Sequence, residues 1–216
     1  MKLSAVIPTL DEEENIEIVL ENVSKYVNEI IIVDGYSVDK TVELAKKFGV
    51  KVIYDDRGKG SAIRKGIMHA TGDILVLFDC DLSHRPEEIE NAIKFVKEGY
   101  DICMPSRILG KSYDFTKMRK FLNIALANFI NFMWGTNYSD VCYGFRVAKK
   151  DALKKLDLES DGFEIETEIS IKAAKRKLKI IEIPSIERKR KYGKGKFRLL
   201  PHGLRILGLV FREMFV

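Results

Sequence analysis

Short apolar runs punctuate the first hundred residues at Leu3–Ile7, Glu29–Val33, Lys51–Tyr54, Ile74–Phe78 and Asp101–Met104. They are too short for helices and several are rich in β-branched residues, so they predict strands. Pro8 is expected to stop the first. Helical signals fill the gaps. Asp11 to Glu14 should open a helix, where acids favour the positive end of its dipole. Asp39 is placed to cap a helix beginning at Thr41. Gly58-Lys59-Gly60 precedes a helix to about Ala70. Arg85-Pro86-Glu87-Glu88 starts another, with the proline near its first position. Repeated strand–helix units with apolar strands predict an α/β fold with a mostly parallel central sheet covered on both faces. In such sheets ligands bind beyond the carboxyl ends of the strands. Asp11, Asp34 and Asp79 all fall at such ends.

The second half departs from this rhythm. Phe115–Trp134 reads as one helix, apolar around most of its circumference from Phe121 onward, which implies burial in protein or contact with lipid. Gly144–Ala148 reads as a strand. Glu164–Lys177 reads as an amphipathic helix with Ile165, Ile169, Ala173 and Ala174 along one stripe. Lys179–Ile183 is a late strand ended by Pro184. From Pro201 onward the chain is apolar but carries Arg205 and Arg212 on similar helical faces. A helix there reaches about 24 Å, short of a ~30 Å hydrocarbon core. It is expected to lie in a membrane interface with its arginines snorkelling toward headgroups; docking on its own domain or on a second subunit is the alternative. The expected organisation is one domain over residues 1–198 and a C-terminal amphipathic, membrane-interfacial helix over 199–216.

Composition narrows the class. The chain has 216 residues, enough for one α/β domain with a sizeable core. Cys80, Cys103 and Cys142 are odd in number and widely spaced, which fits structural thiols in a reducing cytosol and makes neither a disulfide framework nor a zinc pattern. Met1-Lys2-Leu3 runs straight into a strand pattern, so no signal peptide is expected. The formal net charge is +5, but seven Lys and Arg fall within residues 188–198, which contain no acid. The rest of the chain is slightly acidic, so the cationic site is local.

Asp79-Cys80-Asp81 carries the most chemical information. Two carboxylates one residue apart stand where a buried strand meets solvent. A hard divalent cation such as Mg²⁺ takes one or two carboxylates plus substrate phosphates. The pair therefore points to a phosphate substrate held through a metal; a solvated turn is the plain alternative. Asp34, at the end of the second strand, can accept from a ribose or a base edge, or simply cap a turn. Arg57-Gly58-Lys59-Gly60-Ser61-Ala62-Ile63-Arg64 sets small residues and basic side chains at a helix N-terminus, an arrangement suited to a diphosphate.

Four ordered blocks carry a family resemblance. They are Pro8-Thr9-Leu10-Asp11-Glu12-Glu13-Glu14-Asn15, Val33 through Thr41, Gly58-Lys59-Gly60-Ser61-Ala62, and Asp79-Cys80-Asp81-Leu82-Ser83-His84-Arg85-Pro86. Together they resemble glycosyltransferase family 2. The last block is similar to the dolichyl-phosphate mannose synthase, or polyprenyl-phosphate hexosyltransferase, branch. The likeness continues through Ser139 to Arg146 and through Arg190-x-Tyr192-Gly193-x-Gly195-Lys196. It implies a GT-A, Rossmann-like nucleotide-sugar-binding fold. Pro8, Glu12 and Asp34 would line the nucleoside pocket, with Lys59 and Arg146 also on the substrate. Asp79 and Asp81 would hold Mg²⁺ or Mn²⁺ against the donor diphosphate, with Ser83 standing where some relatives have a Gln ligand. Arg107 and Arg119 would surround the transferred sugar and acceptor phosphate. Arg190 and Lys196 would belong to a basic loop over the site. Gly35 replaces a second acid usual after Asp34, Asn123 replaces a Ser, and the Gly58–Arg64 block is closer to dolichyl-phosphate glucosyltransferases, so the donor is split between GDP-mannose and UDP-glucose.

The expected function is metal-dependent, inverting transfer of a hexose to a polyprenyl (dolichyl) phosphate, at the cytoplasmic face of a membrane and without nucleic acid. An anionic acceptor needs positioning and cationic guidance, not a strong base. A hydroxyl acceptor would need a base in reach, for which Asp140 is the best candidate. A saccharide or other hydroxyl acceptor is one alternative, and a non-catalytic nucleotide-sugar or RNA binding module is another. His84 is expected to structure its loop.

Overall fold

A computed structural model describes residues 1–215; Val216, the last residue of the predicted C-terminal helix, lies outside them. Seven strands form one sheet: β1 (Leu3–Thr9), β2 (Glu29–Asp34), β3 (Lys51–Tyr54), β4 (Ile74–Leu77), β5 (Ile102–Ser112), β6 (Arg146–Lys149) and β7 (Ile180–Glu187). Their order is β3-β2-β1-β4-β6-β5-β7. β6 alone runs antiparallel, wedged between β4 and β5. The strand–helix rhythm of the first half is therefore a parallel half-sheet, as predicted.

Alternation along each strand divides the core. Val6, Ile31, Val33, Leu75 and Leu77 face one cluster of buried side chains. Ala5, Ile7, Ile30, Ile32, Ile74 and Val76 face the other. The period of two is the geometry of a pleated strand. The first face is covered by α3 (Lys59–His69), α5 (Lys117–Trp134), α6 (Lys150–Lys154), α7 (Ile165–Lys175) and α8 (Leu199–Glu213), the second by α1 (Ile16–Val23), α2 (Thr41–Lys47) and α4 (Glu88–Lys97).

Several boundaries differ from expectation for identifiable reasons. β1 passes through Pro8. The Thr9 carbonyl accepts from Gly35 N on the β2 side, so Pro8 faces β4, whose ladder with β1 has already ended at Val6↔Leu77. The missing N–H thus falls where no partner waits. Pro184 is likewise carried inside β7, an edge strand. The acids Asp11 to Glu14 do not open α1, which starts at Ile16. Asp11 Oδ1 instead accepts from Val38 N at 3.0 Å, and Glu13 Oε2 from Lys40 N at 3.0 Å, stitching the β1–α1 loop to the β2–α2 loop. The N-cap of α2 is Lys40, and Asp39, one residue earlier, accepts from Thr41 N at 2.9 Å.

β5 is far longer than predicted. Its register with β7 shifts between Ser106 and Lys111, a bulge that re-aims residues 107 to 110. Ser106 Oγ accepts from Ile108 N and Leu109 N at 3.2 Å each, fixing the bend.

α8 docks on α7. Ile206, Leu209 and Val210 are buried, and Lys175 Nζ lies 3.0 Å from Glu213 Oε2. Among the described residues, no helix is long and apolar enough to cross a membrane.

α3 approaches β1 so closely that a Cβ on Gly66 would lie 2.2 Å from Val6 Cγ1. Helix propensity alone would make Gly66→Ala stabilising by about 1 kcal/mol. Overpacking costs about 1–3 kcal/mol, so the variant is expected to unfold at lower denaturant than wild type. A midpoint raised above wild type would show that β1 and α3 separate easily.

Candidate active site

The strand order turns back between β1 and β4, and beyond their carboxyl ends a cavity of about 1140 Å³ opens. A crevice at such a switch point is the expected ligand site of an open α/β sheet. Its wall includes Pro8, Glu12, Lys59, Asp79, Asp81, Ser83, Arg107, Arg119, Arg190 and Lys196. Ten of the thirteen predicted site residues therefore converge from six separate segments.

Three are not brought to the wall. Asp34 is fully buried: it accepts from Thr9 Oγ1 at 3.0 Å, Ser37 N at 2.8 Å and Ser37 Oγ at 2.6 Å, so in this state it shapes the β2–α2 turn and leaves no face for a base. Arg146 is 1 % exposed and lies in the core, donating to the Glu166 carbonyl at 2.9 Å and Ser170 Oγ at 3.1 Å. Asp140 is behind the wall, under Arg107.

Asp79 and Asp81 leave β4 in different surroundings. Asp79 Oδ1 lies 2.7 Å from Lys59 Nζ, and Oδ2 lies 3.2 Å from His84 Nε2. Burial works to raise the Asp79 pKa, but the Lys59 charge and His84 outweigh it and hold the carboxyl far below the usual range. His84 Nδ1 lies 3.0 Å from the Tyr143 hydroxyl, which fixes the ring. The loop-structuring role expected of His84 thus has a specific object, the first aspartate. Asp81 Oδ1 accepts from Ser83 N at 2.9 Å, and its Oδ2 faces Arg190 Nε at 3.8 Å. Ser83 enters through its backbone, as the brace of Asp81. Oxygen donors at two strand-end carboxylates, open to a cavity also lined by Lys59, Arg119 and Arg190, fit a hard divalent ion. Among the described residues the one cluster of three ligating side chains in mutual reach is Glu159, Glu168 and Glu213, which includes neither aspartate and is paired with Lys172, Lys175 and Arg212.

The β5 bulge delivers Arg107. Its Nε and Nη2 bind Asp140 Oδ2 and Oδ1 at 2.7 and 2.9 Å, and Nη1 binds Glu187 Oε1 at 3.1 Å. The ring centres of Phe115 and Tyr143 lie 4.3 and 4.6 Å from Cζ of the guanidinium. Asp140 also accepts from Asn123 Nδ2 at 2.8 Å. Burial would raise its pKa, yet Arg107 and these donors hold it below the ordinary value. A carboxylate bound on both oxygens is a holder of Arg107, not a free base. Arg119 pairs with Asp114 at 2.9 Å and stays partly exposed at the mouth.

The basic segment 188–198 folds over the other end. Arg190 grips Glu12 with two bonds of 2.8 and 2.9 Å, and Lys196 donates to the Leu10 carbonyl. It is not a free surface stripe.

Three side chains that the sequence reading passed over matter here. Glu166 lies 2.7 Å from Lys59 Nζ, Glu187 supports Arg107, and Tyr143 joins Arg107 to His84. Glu166 sits one residue off the apolar stripe of α7, a faint signal of a buried acid.

Comparison with known proteins follows the same lines. Residues 4–157 match the family model described as Glycosyl transferase family 2. A dolichol-phosphate mannosyltransferase of Pyrococcus furiosus is 34% identical over 212 residues, covering 92% of this chain and 60% of that protein's length. An undecaprenyl-phosphate mannosyltransferase of Micrococcus luteus is 28% identical over 213 residues, covering 91% of this chain and 87% of its own. The crystal structure of glucosyl-3-phosphoglycerate synthase from Mycobacterium tuberculosis, in complex with Mn²⁺, UDP and glucosyl-3-phosphoglycerate, superposes with a TM-score of 0.79 at 20% identity, over 100% of this chain and 80% of that one. That likeness concerns the fold. With the family model spanning well over half its length, the chain belongs to glycosyl transferase family 2 and is a glycosyltransferase built on the GT-A fold.

Proposed function

We propose that this enzyme moves a hexose from a nucleoside-diphosphate donor onto the phosphate of a polyprenyl phosphate, working at a membrane surface. The observation that carries the reading is the lining of the cavity. One cavity is lined both by Asp79, Asp81, Arg107 and Arg119 and by an apolar set from α5 and α8: Met118, Leu122, Leu126, Leu200, Leu204 and Leu207. An acceptor with an anionic head and a long apolar tail suits both sets. The names of the Pyrococcus and Micrococcus relatives support the same acceptor class.

Around Arg107 and Lys59 the disposition of acids favours phosphate over hydroxyl. Asp140, Glu187, Glu166 and Glu12 are each engaged by an arginine or lysine. A hydroxyl nucleophile needs an unengaged base within hydrogen-bond reach, whereas a phosphate arrives as an anion. Arg107 and Arg119 stand where charge-assisted bonds can orient that head toward the anomeric carbon. Lys59, beside Asp79 at the N-terminus of α3, is the donor-side cation. A divalent ion, Mg²⁺ or Mn²⁺, held by Asp79 and Asp81 would neutralise charge on the departing nucleoside diphosphate.

The membrane reading rests on α5 and α8. Phe121, Leu122, Phe129 and Phe132 on α5, and Leu200, Leu204, Leu207 and Phe211 on α8, are all exposed, Phe132 at 84% and Leu200 at 75%. A patch of this kind on helices that flank the cavity mouth fits immersion in a lipid interface. Arg198, Arg205 and Arg212 accompany it, and each basic group near an anionic surface adds about 1 kcal/mol.

A donor and acceptor screen tests the chemistry. Transfer is expected from GDP-mannose or UDP-glucose to a short polyprenyl phosphate when Mg²⁺ or Mn²⁺ is present, and none to the matching polyprenol. Equal transfer to the alcohol, or preferential transfer to phosphoglycerate, overturns the acceptor assignment. Arg119→Ala removes a charged hydrogen-bond donor worth about 1.5–3 kcal/mol. It should lower kcat/KM for the phosphate acceptor tenfold or more while donor hydrolysis in water stays near wild type. For the membrane, the double variant Phe132→Asp and Phe211→Asp should lose flotation with anionic vesicles, each phenylalanine contributing about 1.5–3 kcal/mol of apolar burial. Undiminished flotation rules out this face.

A further inference from the structure

The segments carrying Lys59 and Glu166 are locked together. Gly58 has φ of 128°, and a Cβ there would lie 2.6 Å from the Asp161 carbonyl. Gly60 N donates to that carbonyl at 2.8 Å, and Arg64, one turn further along α3, pairs with the Asp161 carboxylate. The first turn of α3 is thus clamped to residues 160–162, and α7, which follows, carries Glu166 over Lys59. The ammonium ends 2.7 Å from Glu166 Oε1 and 2.7 Å from Asp79 Oδ1, with the Phe163 ring centre 5.6 Å away. Burial works against this charge, but the two carboxylates outweigh it and keep the lysine protonated well above its ordinary pKa. Gly144 leaves the room: a Cβ there would lie 2.9 Å from Lys59 Nζ and closer still to Asp79.

The charges at this end of the cavity add up in a telling way. In the group built on Lys59, Asp79, Asp81 and Glu166 supply three negative charges and Lys59 one positive, and Arg190 beside Asp81 is itself paired with Glu12, which leaves two. That balance matches a divalent cation. Without the Glu166 charge, Asp79 alone would compensate Lys59, leaving one net negative charge for a metal ion brought there.

We propose that Glu166 is a positioning residue that takes up the charge of Lys59, so that Asp79 and Asp81 keep two net negative charges for a divalent ion while the ammonium stays beside the donor diphosphate. The inference rests on the metal-dependent part of the function proposed above and not on the identity of the acceptor. Lys59 and Glu166 are a compensating pair, and the sign of each substitution is opposite.

Mn²⁺ binding to the purified full chain, without donor or acceptor, tests it by titration calorimetry or by the free-ion electron paramagnetic resonance signal. Glu166→Gln is expected to weaken Mn²⁺ binding about tenfold to a hundredfold, the range typical of outer-shell partners. Lys59→Met is expected to tighten it while weakening UDP binding. The double variant, with the charge balance restored, should return to near the wild-type affinity. Unchanged affinity in Glu166→Gln, or a double variant no tighter than Glu166→Gln alone, overturns the proposal, because a purely structural role would not be rescued by removing the lysine. Should Glu166→Gln fail to fold, as judged by a thermal melt, Lys59→Met decides alone: unchanged or weaker Mn²⁺ binding overturns the proposal. If the wild-type chain binds no Mn²⁺, the metal reading fails and this inference falls with it; if wild type binds and the variants do not differ, only the inference falls.

Discussion

A charge taken out of water must be paired, and removing one partner of a buried pair costs about 3–5 kcal/mol. This site is organised by that constraint. Three cations each bridge two carboxylates drawn from distant parts of the chain: Lys59 joins Asp79 to Glu166, Arg107 joins Asp140 to Glu187, and Arg190 joins Glu12 and approaches Asp81. Each bridge ties a strand end to an element from the second half of the chain. The antiparallel insertion of β6 and the return of β7 bring those elements to the ends of β1 and β4. The parallel half-sheet supplies acids at its carboxyl edge, and the remainder of the chain supplies much of what neutralises or orients them.

Backbone geometry does the aiming. The shift in β5 between Ser106 and Lys111 turns Arg107 into the cavity, where an unbroken ladder would have carried the strand straight past. The clamp between α3 and residues 160–162 sets the height of Lys59. These are stiff devices, and they explain how long, flexible cationic side chains reach distances of 2.7 to 3.1 Å without losing most of their rotamer freedom at the moment of binding.

The sequence made the parallel half of the fold legible because its strands are buried on both faces and its helices are bracketed by turn residues. It also located Asp79, Asp81 and Lys59 at strand and helix ends from local pattern alone. Arg107 and Arg119 were legible through family resemblance, not through periodicity. What sequence could not reveal was long-range pairing. Asp34 sits at a strand end like Asp79, yet Thr9 and Ser37 consume its oxygens. Arg146 follows a motif that reaches the site, but its own side chain turns into the core. Asp140 has the composition of a base and the surroundings of a ligand for Arg107. Glu166 was passed over because it sits beside an apolar stripe, and its importance depends on a lysine more than a hundred residues earlier. The run of acids at 11–14 misled for a similar reason: its partners are the amides of residues 38 and 40, not the dipole of α1.

The apolar and the charged lining of the cavity constrain one another. A short hydrophilic acceptor would satisfy Arg107 and Arg119 but leave the leucines of α5 and α8 in water, at about 25 cal/mol for every Å² that a tail could have covered. A neutral lipid would cover those leucines but would strip water from Arg119 without returning a charge to it. An amphiphile with an anionic head meets both requirements at once. The exposed faces of α5 and α8 extend the same argument outward, since the helices that supply the apolar lining also carry the largest uncovered aromatic side chains of the second half. On the proposed function, a tail leaving the cavity along them would pass from protein into lipid without crossing water, and chemistry at the strand ends and placement at a surface would then be parts of one arrangement.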